Sequence, residues 1–305
     1  MRSCVLLFVS LLTAVAVGDV VHIDVVVKDQ EGRPIKDASV QLSTASKIVI
    51  PYSQPKRKKI CFSTDEYGCA SQSFFCWDGY VNCYVSADGY YAEEIDNVNY
   101  NANYDNASGE YIFKDKGRSV SIVLKKIRNP IPLYSYTSFE KKLRFGNDSA
   151  SAAFDMQRGT WLPPYGNGIQ ADFHVRYSGI GTNGDWRTSL VFNPGDGAYI
   201  VSDTAGSHPL VYNADINGMY ASEYSFSTNS FLLDSKGALI IRSRTELDAK
   251  GNPVRANYSK IYGPLEIGKI FKFSQMVFNP VVNSTNLEFD VRNNLSRNSC
   301  GRFHP

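Results

Sequence analysis

Three groups of side chains have the types and spacing to do chemistry. The first is aromatic. Trp161, Tyr165, Trp186, Tyr199, Tyr212, Tyr220 and Tyr224 crowd the C-terminal half, several beside Gly, Asn or Asp. Aromatic faces stacked on sugar C–H surfaces, with polar neighbours reaching hydroxyls, would make a glycan-binding platform. The competing reading is packing, because sandwich cores also use Trp and Tyr heavily. The second group is oxygen-rich. Asn213-Ala-Asp215-Ile-Asn217-Gly218 imitates the first half of a calcium loop, with Asp215 and Asn217 as weak ligand candidates. Such a loop wants Asp first and a bidentate Glu at position twelve. Here Asn213 is first, Tyr224 stands at the twelfth place and Glu223 comes one residue early. An Asn217-Gly218 turn accounts for the same residues. The third group is Asp172, His174 and Arg176, which alternate along one predicted strand face and read as its solvated side.

Other chemistries find little support. Gly179-Ile-Gly181-Thr-Asn-Gly184 fits G-x-G-x-x-G, but that loop must open a helix that receives a pyrophosphate. The residues that follow, Asp185 to Phe192, read as a strand. There is no G-x-S-x-G elbow and no HExxH, and His22, His174, His208 and His304 are the only histidines available as bases. Nothing in the spacing calls for a cofactor. Paired carboxylates for glycoside hydrolysis stay open, since the separation of two acids is not written in a sequence.

The elements that must position these groups begin behind an export signal. Arg2, the apolar run Val5–Val17 and the small residues Ala16-Val17-Gly18 predict a signal peptide over 1–18, too short in its apolar part to span a bilayer. Secretion, or a periplasmic or envelope location, is therefore expected, with no transmembrane segment after cleavage. Without Arg2 the basic side chains number 31 against 30 acidic. That balance gives no electrostatic case for nucleic acid. Cys61, Cys69, Cys76 and Cys83 cluster within one short stretch, and export makes two disulfides the expectation. An Asp78-Gly79 hairpin would pair Cys76 with Cys83, leaving Cys61 with Cys69 and Cys300 without a partner. A zinc site is the rival, though no Cys-x-x-Cys is present.

Strand patterning dominates the rest. Val21, Ile23, Val25 and Val27 alternate with His22, Asp24, Val26 and Lys28, and the same spacing recurs at Ala38, Val40 and Leu42, then Val81, Cys83 and Val85, then Val120, Ile122 and Leu124. Asp-x-x-Gly recurs at Asp29–Gly32, Asp65–Gly68, Asp234–Gly237 and Asp248–Gly251. Asp caps a backbone N–H and Gly takes positive φ, so the spacing predicts tight turns of a meander-rich antiparallel protein. Lys56-Arg57-Lys58-Lys59 reads as a solvated loop. Beyond the Pro-rich boundary 127–140, read as a linker, strands are predicted near 169–177, 188–193, 198–202, 222–226, 238–247, 253–261 and 270–278.

The first segment carries a resemblance. A strand ending Lys28-Asp29, then Gly32-x-Pro34-Ile35-x-x-Ala38-x-Val40, then Val85-x-Ala87-x-Gly89-Tyr90, resembles the carboxypeptidase regulatory-like domain. The likeness runs over 19–126. The insert Lys47–Lys59 and the cysteine group depart from the short family pattern. It implies a transthyretin-like β-sandwich, an accessory module with no catalytic residues of its own. The segments around Trp161–Gly166, Tyr258–Gly263 and Phe278–Asp290 are similar to the tails of exported bacterial proteins bearing that module, to which the resemblance attaches no activity.

The expectation is an all-β chain: a transthyretin-like β-sandwich over 19–126 and a larger antiparallel, jelly-roll-like sandwich over 141–305. Its expected function is non-catalytic binding or structure, with extracellular or cell-wall glycan as partner. The alternative is a hydrolase with paired carboxylates in a C-terminal cleft.

Overall fold

A computed structural model describes residues 19–45, 57–107, 110–142, 149–179, 186–202, 211–227, 231–234, 237–267 and 270–296. The predicted signal segment, Cys300, most of the insert after Lys47 and the Gly181–Gly184 part of the glycine motif lie outside them. The described residues form strands and turns without a helix, an all-β sandwich architecture. The chain divides into two compact units, residues 1–127 and 128–305.

In the first unit the strands are β1 (Asp19–Asp29), β2 (Ser39–Ala45), β3 (Arg57–Ser63), β4 (Cys69–Cys76) and β5 (Tyr80–Ser86). They continue as β6 (Tyr90–Tyr91), β7 (Glu93–Asn99), β8 (Ala102–Asp105), β9 (Glu110–Phe113) and β10 (Gly117–Lys126). One sheet runs β4-β1-β10-β6 and the other β3-β2-β5-β7, with β8 and β9 as a separate pair. Period-2 alternation works as a strand demands. Val21, Ile23, Val25 and Val27 from one sheet meet Val40, Leu42, Val81 and Val85 from the other, all buried in one core.

The connections are less meander-like than the turns suggest. β1 pairs with β10 in parallel, Val25 opposite Val120, so both ends of the unit share a sheet. The Asp-x-x-Gly turns keep one chemistry. In each of three, one carboxylate oxygen accepts two backbone N–H groups: Asp29 from Glu31 and Arg33, Asp65 from Tyr67 and Cys69, Asp248 from Lys250 and Asn252. Their use differs, however. The Asp248 turn closes a hairpin, whereas the Asp29 and Asp65 turns lead the chain from one sheet to the other. In the fourth, Gly237 N–H still reaches the Asp234 carbonyl, with residues 235 and 236 outside the described set.

The same crossing corrects the disulfide expectation. All four cysteines are free thiols. β4 pairs with β1 and β5 with β2, so Trp77–Gly79 is a corner between sheets and not a hairpin that sets Cys76 across from Cys83. Cys76 and Cys83 are buried core residues, and Thr44 donates a hydroxyl to the Cys76 sulfur at 3.5 Å. Burial pushes the Cys83 thiol up to about 12 and the Cys76 thiol up as well, so neither is a reactive thiolate at neutral pH. Cys61 and Cys69 are exposed on β3 and β4, edge strands of different sheets.

The second unit holds β11 (Tyr134–Lys142), β12 (Ser149–Asp155), β13 (Thr160–Trp161), β14 (Phe173–Gly179), β15 (Trp186–Val191) and β16 (Gly197–Ser202). After them come β17 (Glu223–Ser227), β18 (Phe231–Leu233), β19 (Gly237–Leu247), β20 (Pro253–Tyr262), β21 (Leu265–Ile267) and β22 (Ile270–Phe278). One sheet runs β16-β19-β20-β22-β21-β18, with β11 also on β22, and the other β13-β12-β14-β15-β17. These named strands pair antiparallel throughout. Phe154, Trp161, Phe173, Leu239, Ile241, Phe271 and Phe273 lie in the core between the sheets. The stretch 127–140, read as a linker, carries most of β11, in which Tyr134 and Tyr136 alternate opposite Phe278 and Met276, and Phe139 pairs with Phe273.

The middle of β19 is buried on both faces. Leu239 and Ile241 face the sandwich core, while Ala238 and Ile240 join Tyr258, Tyr262, Ala214 and Leu287 in a second cluster on the outside of the same sheet. Tyr199, Val211 and Tyr220 pack against that outer cluster. This outer cover is where two of the sequence-predicted tyrosines, Tyr199 and Tyr220, meet.

Two stability outcomes follow from the turns. A Cβ on Gly32 (φ 79°) meets nothing within 4 Å, whereas one on Gly68 (φ 72°) lands 2.3 Å from the Val27 carbonyl oxygen. Gly32→Ala therefore costs about 1–2 kcal/mol from the left-handed backbone alone, and Gly68→Ala costs clearly more, read by urea unfolding of the full chain. At Asp29 burial alone would raise the carboxyl, but the Arg33 N–H and guanidinium and the Glu31 N–H outweigh it and hold it below its usual range. That stabilisation is present at neutral pH and lost as pH falls through the folded-state value. The stability gap between wild type and Asp29→Asn should be widest near neutrality and close toward acid, measured by urea midpoints at each pH.

Candidate functional site

The predicted aromatic set does not form one row. Trp161 is fully buried and packs edge-on against Phe154 (4.9 Å) and Phe271 (5.0 Å), so it belongs to the core and offers no ring to a ligand. Tyr165 and Tyr224 pack on the margin of that core, and Tyr224 donates its hydroxyl to the Ala198 carbonyl. Trp186 opens β15, paired through its backbone with Gly179.

Tyr199 and Tyr220 do come together. Tyr199 stands on β16, and Tyr220 belongs to the irregular segment that covers the outer face of the sheet. Their rings lie 5.1 Å apart at 81°. Asp215 ties both: its N–H donates to the Tyr199 hydroxyl at 2.9 Å, and its carbonyl accepts the Tyr220 hydroxyl at 2.8 Å. Its carboxylate accepts the Asn217 N–H at 2.9 Å, and Gly218 N–H returns to its carbonyl. Two features that the sequence presents separately, the tyrosines and the oxygen-rich loop, are thus one structure. The loop's oxygens act as turn-formers, and among the described residues no group of three or more His, Cys, Asp or Glu is placed to share a metal ion.

Arginine completes this corner. The Arg242 guanidinium stacks 4.2 Å from the Tyr220 ring centre, with its Nε donated to the Gly195 carbonyl at 3.1 Å. Arg128 stacks likewise on buried Tyr212 at 4.1 Å. Burial raises the Tyr199 and Tyr220 phenols above their usual range, so both are neutral donors and acceptors at physiological pH. At the tip of the turn Ile216 and Met219 are 60% and 94% exposed, an apolar pair that the fold leaves in solvent.

The buried aspartates Asp155, Asp172 and Asp196 are hydrogen-bonded within the fold. Asp172 was expected beside His174 and Arg176 on a solvated strand face; instead it is fully buried one residue before β14. Arg244 grips it with Nε at 2.8 Å and Nη2 at 3.1 Å, and the same Nη2 reaches Asp155 at 3.2 Å. Nη1 donates to Gln157 at 2.6 Å. Asp172 also accepts the Ser243 hydroxyl and the Met156 N–H, and Asp155 accepts the N–H groups of Arg158, Ile169 and Gln170. Burial pushes the Asp172 carboxyl up against the pull of these donors. Neighbouring residues on a strand face opposite ways, yet Ser243 and Arg244 both reach one carboxylate. The β-bulge there, with Arg244 at φ 56°, makes that possible. A general acid or base needs an oxygen facing substrate. The oxygens of this buried pair are engaged within the fold. His174 bonds Asn193, which also holds the buried Asp196, while Arg176 is exposed on β14.

One constellation was not visible in the sequence. On the outer face of β1, His22 Nδ1 lies 3.0 Å from the Ser73 hydroxyl and Nε2 lies 3.2 Å from Asp24. Only the β1–β4 register, which sets His22 opposite Ser73, reveals it. The string has the order of a nucleophile, base and orienting acid. But His22 and Asp24 are 45% and 53% exposed, so water competes for both bonds, and a working triad keeps its acid buried.

No family model and no curated protein sequence matches the chain. Among solved structures it is similar to 3-chlorocatechol 1,2-dioxygenase from Rhodococcus opacus, at 16% identity over 37% of this chain and 62% of that one, TM-score 0.27. It is also similar to a streptococcal ancillary pilin, at 14% identity over 70% and 60% of the two chains, TM-score 0.22. A third is a putative membrane-associated protein of unknown function from Bacteroides fragilis, at 10% identity over 88% and 100%, TM-score 0.19. The chain thus spans less than two thirds of the dioxygenase. Likenesses this slight bring no activity, ligand or partner to this chain.

Removing Arg244 leaves buried Asp172 without its ion-pair partner and Asp155 with only Arg158 at 3.8 Å, a change that costs about 3–5 kcal/mol. Arg244→Met should lower the unfolding transition of residues 128–305 by that order and leave the transition of residues 1–127 in place. Calorimetry of the full chain reads both.

Proposed function

We propose that the protein is a non-catalytic binding or structural protein, exported to the envelope or extracellular space, that holds carbohydrate at the Tyr199–Tyr220 corner. The observation that carries this reading is the double tie of Asp215 to the two tyrosine hydroxyls. It fixes two amphipathic rings before any ligand arrives, and such preorganisation lowers the entropy cost of binding. Around them lie the groups a sugar ring uses: aromatic carbon, a guanidinium and an exposed turn.

Two further observations support the non-catalytic part. Asp155 and Asp172 are spent on Arg244 and the backbone, and the His22 string stands in solvent. The export part rests on the signal-like Met1–Gly18, and the first unit's accessory role on its resemblance to the carboxypeptidase regulatory-like domain.

The full chain on a glycan array, with hydrolysis assayed on every hit, tests the reading. The expected result is binding without turnover, weakened about tenfold or more by Tyr220→Ala and unchanged by Tyr84→Ala on β5 of the other unit. Turnover of a bound glycan would favour a carbohydrate-active enzyme instead, and an array without hits would remove carbohydrate as the ligand.

A further inference from the structure

The Arg242 guanidinium is built to be held still and left with spare donors. Its Nε is committed to the Gly195 carbonyl and its plane lies over Tyr220. Among the described residues it forms no ion pair, and neither does Arg128, whose plane lies over Tyr212. Arg244 shows the contrast within the same strand: its three nitrogens are all bonded, to two aspartates and a glutamine. Among the described residues the two terminal amino groups of Arg242 have no such acceptor. A planar guanidinium presents two parallel N–H donors that match a carboxylate, and it sheds water more readily than an ammonium does.

Both stacked tyrosines come from one stretch of chain, Val211–Ala221, which lies on the outer cluster of the sheet. That stretch therefore offers two arginine–tyrosine stacks, together with the exposed Ile216 and Met219. Its one acid, Asp215, has a carboxylate oxygen bonded to the turn. An acidic sugar fits this set better than a neutral one. Its carboxylate would take the Arg242 fork while its C–H face lies against tyrosine and the apolar turn.

Resting on the carbohydrate reading above, we propose that the ligand is an anionic glycan carrying uronate residues, selected by Arg242. The recognition is non-covalent, and Arg242 acts by charge-assisted hydrogen bonds to the sugar carboxylate.

The test is isothermal titration of the full chain with oligomers of galacturonate, mannuronate and hyaluronan, each beside its methyl ester, which keeps the sugar and removes the charge. At least one acid should bind, about tenfold or more tighter than its ester, and rising salt should weaken it. Arg242→Gln should erase the preference for the acid, so that acid and ester bind alike. Arg242→Lys, which keeps charge without the fork, should recover only part of it. Equal binding of acid and ester overturns the anionic reading and leaves carbohydrate binding standing. Neutral array hits without any uronate binding do the same. No binding to either uronates or the array overturns both. Should Arg242→Gln fail to fold, the acid-to-ester ratio of the wild-type chain decides the matter by itself.

Discussion

The C-terminal unit depends on one buried charged contact, Arg244 with Asp172 and Asp155. The two aspartates sit at the end of β12 and just before β14, in one sheet, and the arginine is on β19 of the other. The contact therefore ties the sheets together across the margin of their core. A left-handed residue costs about 1–2 kcal/mol, and Arg244 pays that at the bulge. Hydrogen bonds to charged groups contribute about 1.5–3 kcal/mol each, and Arg244 makes four such contacts with carboxylates and a glutamine. The strained backbone is outweighed. The Arg244 guanidinium also lies 4.6 Å from the Phe278 ring, which joins the charged cluster to β22.

That contact also shapes the functional reading. In a chain with 30 acidic residues, a hydrolytic pair is easy to imagine. The buried acids of the second unit are drawn into turns and sheet ties, as Asp196 is by the Thr245 N–H and the Asn193 amide. The spare donors lie elsewhere, on the guanidiniums stacked over Tyr212 and Tyr220. An arginine gripping two carboxylates is architecture, and an arginine resting on a ring without an ion pair is where we propose that a ligand binds.

Strand faces were legible from period-2 patterning: β1 buries Val21, Ile23, Val25 and Val27 as its alternation requires, and β22 spans the predicted residues 270–278. The Asp-x-x-Gly turns were legible too, because their bonds are local. Sheet membership was not. Periodicity reports which way a side chain faces and not which strand lies beside it, so the Asp78-Gly79 corner read as a hairpin and gave a disulfide that the fold does not make. Tyr134–Lys142 hid behind its prolines, although its own alternation was present. Asp172 looked solvated because its partner, Arg244, lies 72 positions away and reaches it through a bulge. The Tyr199–Asp215–Tyr220 corner was half visible: its residues were singled out for two different reasons, and only the fold shows them bonded.

The central claim is that Arg244 and Asp172 act as one structural unit, which a double-mutant cycle with Arg244→Met and Asp172→Leu measures directly. The account predicts that each single change is strongly destabilising and that the double change costs clearly less than their sum, a coupling of about 2 kcal/mol or more. Additive losses, with coupling near zero, would contradict it.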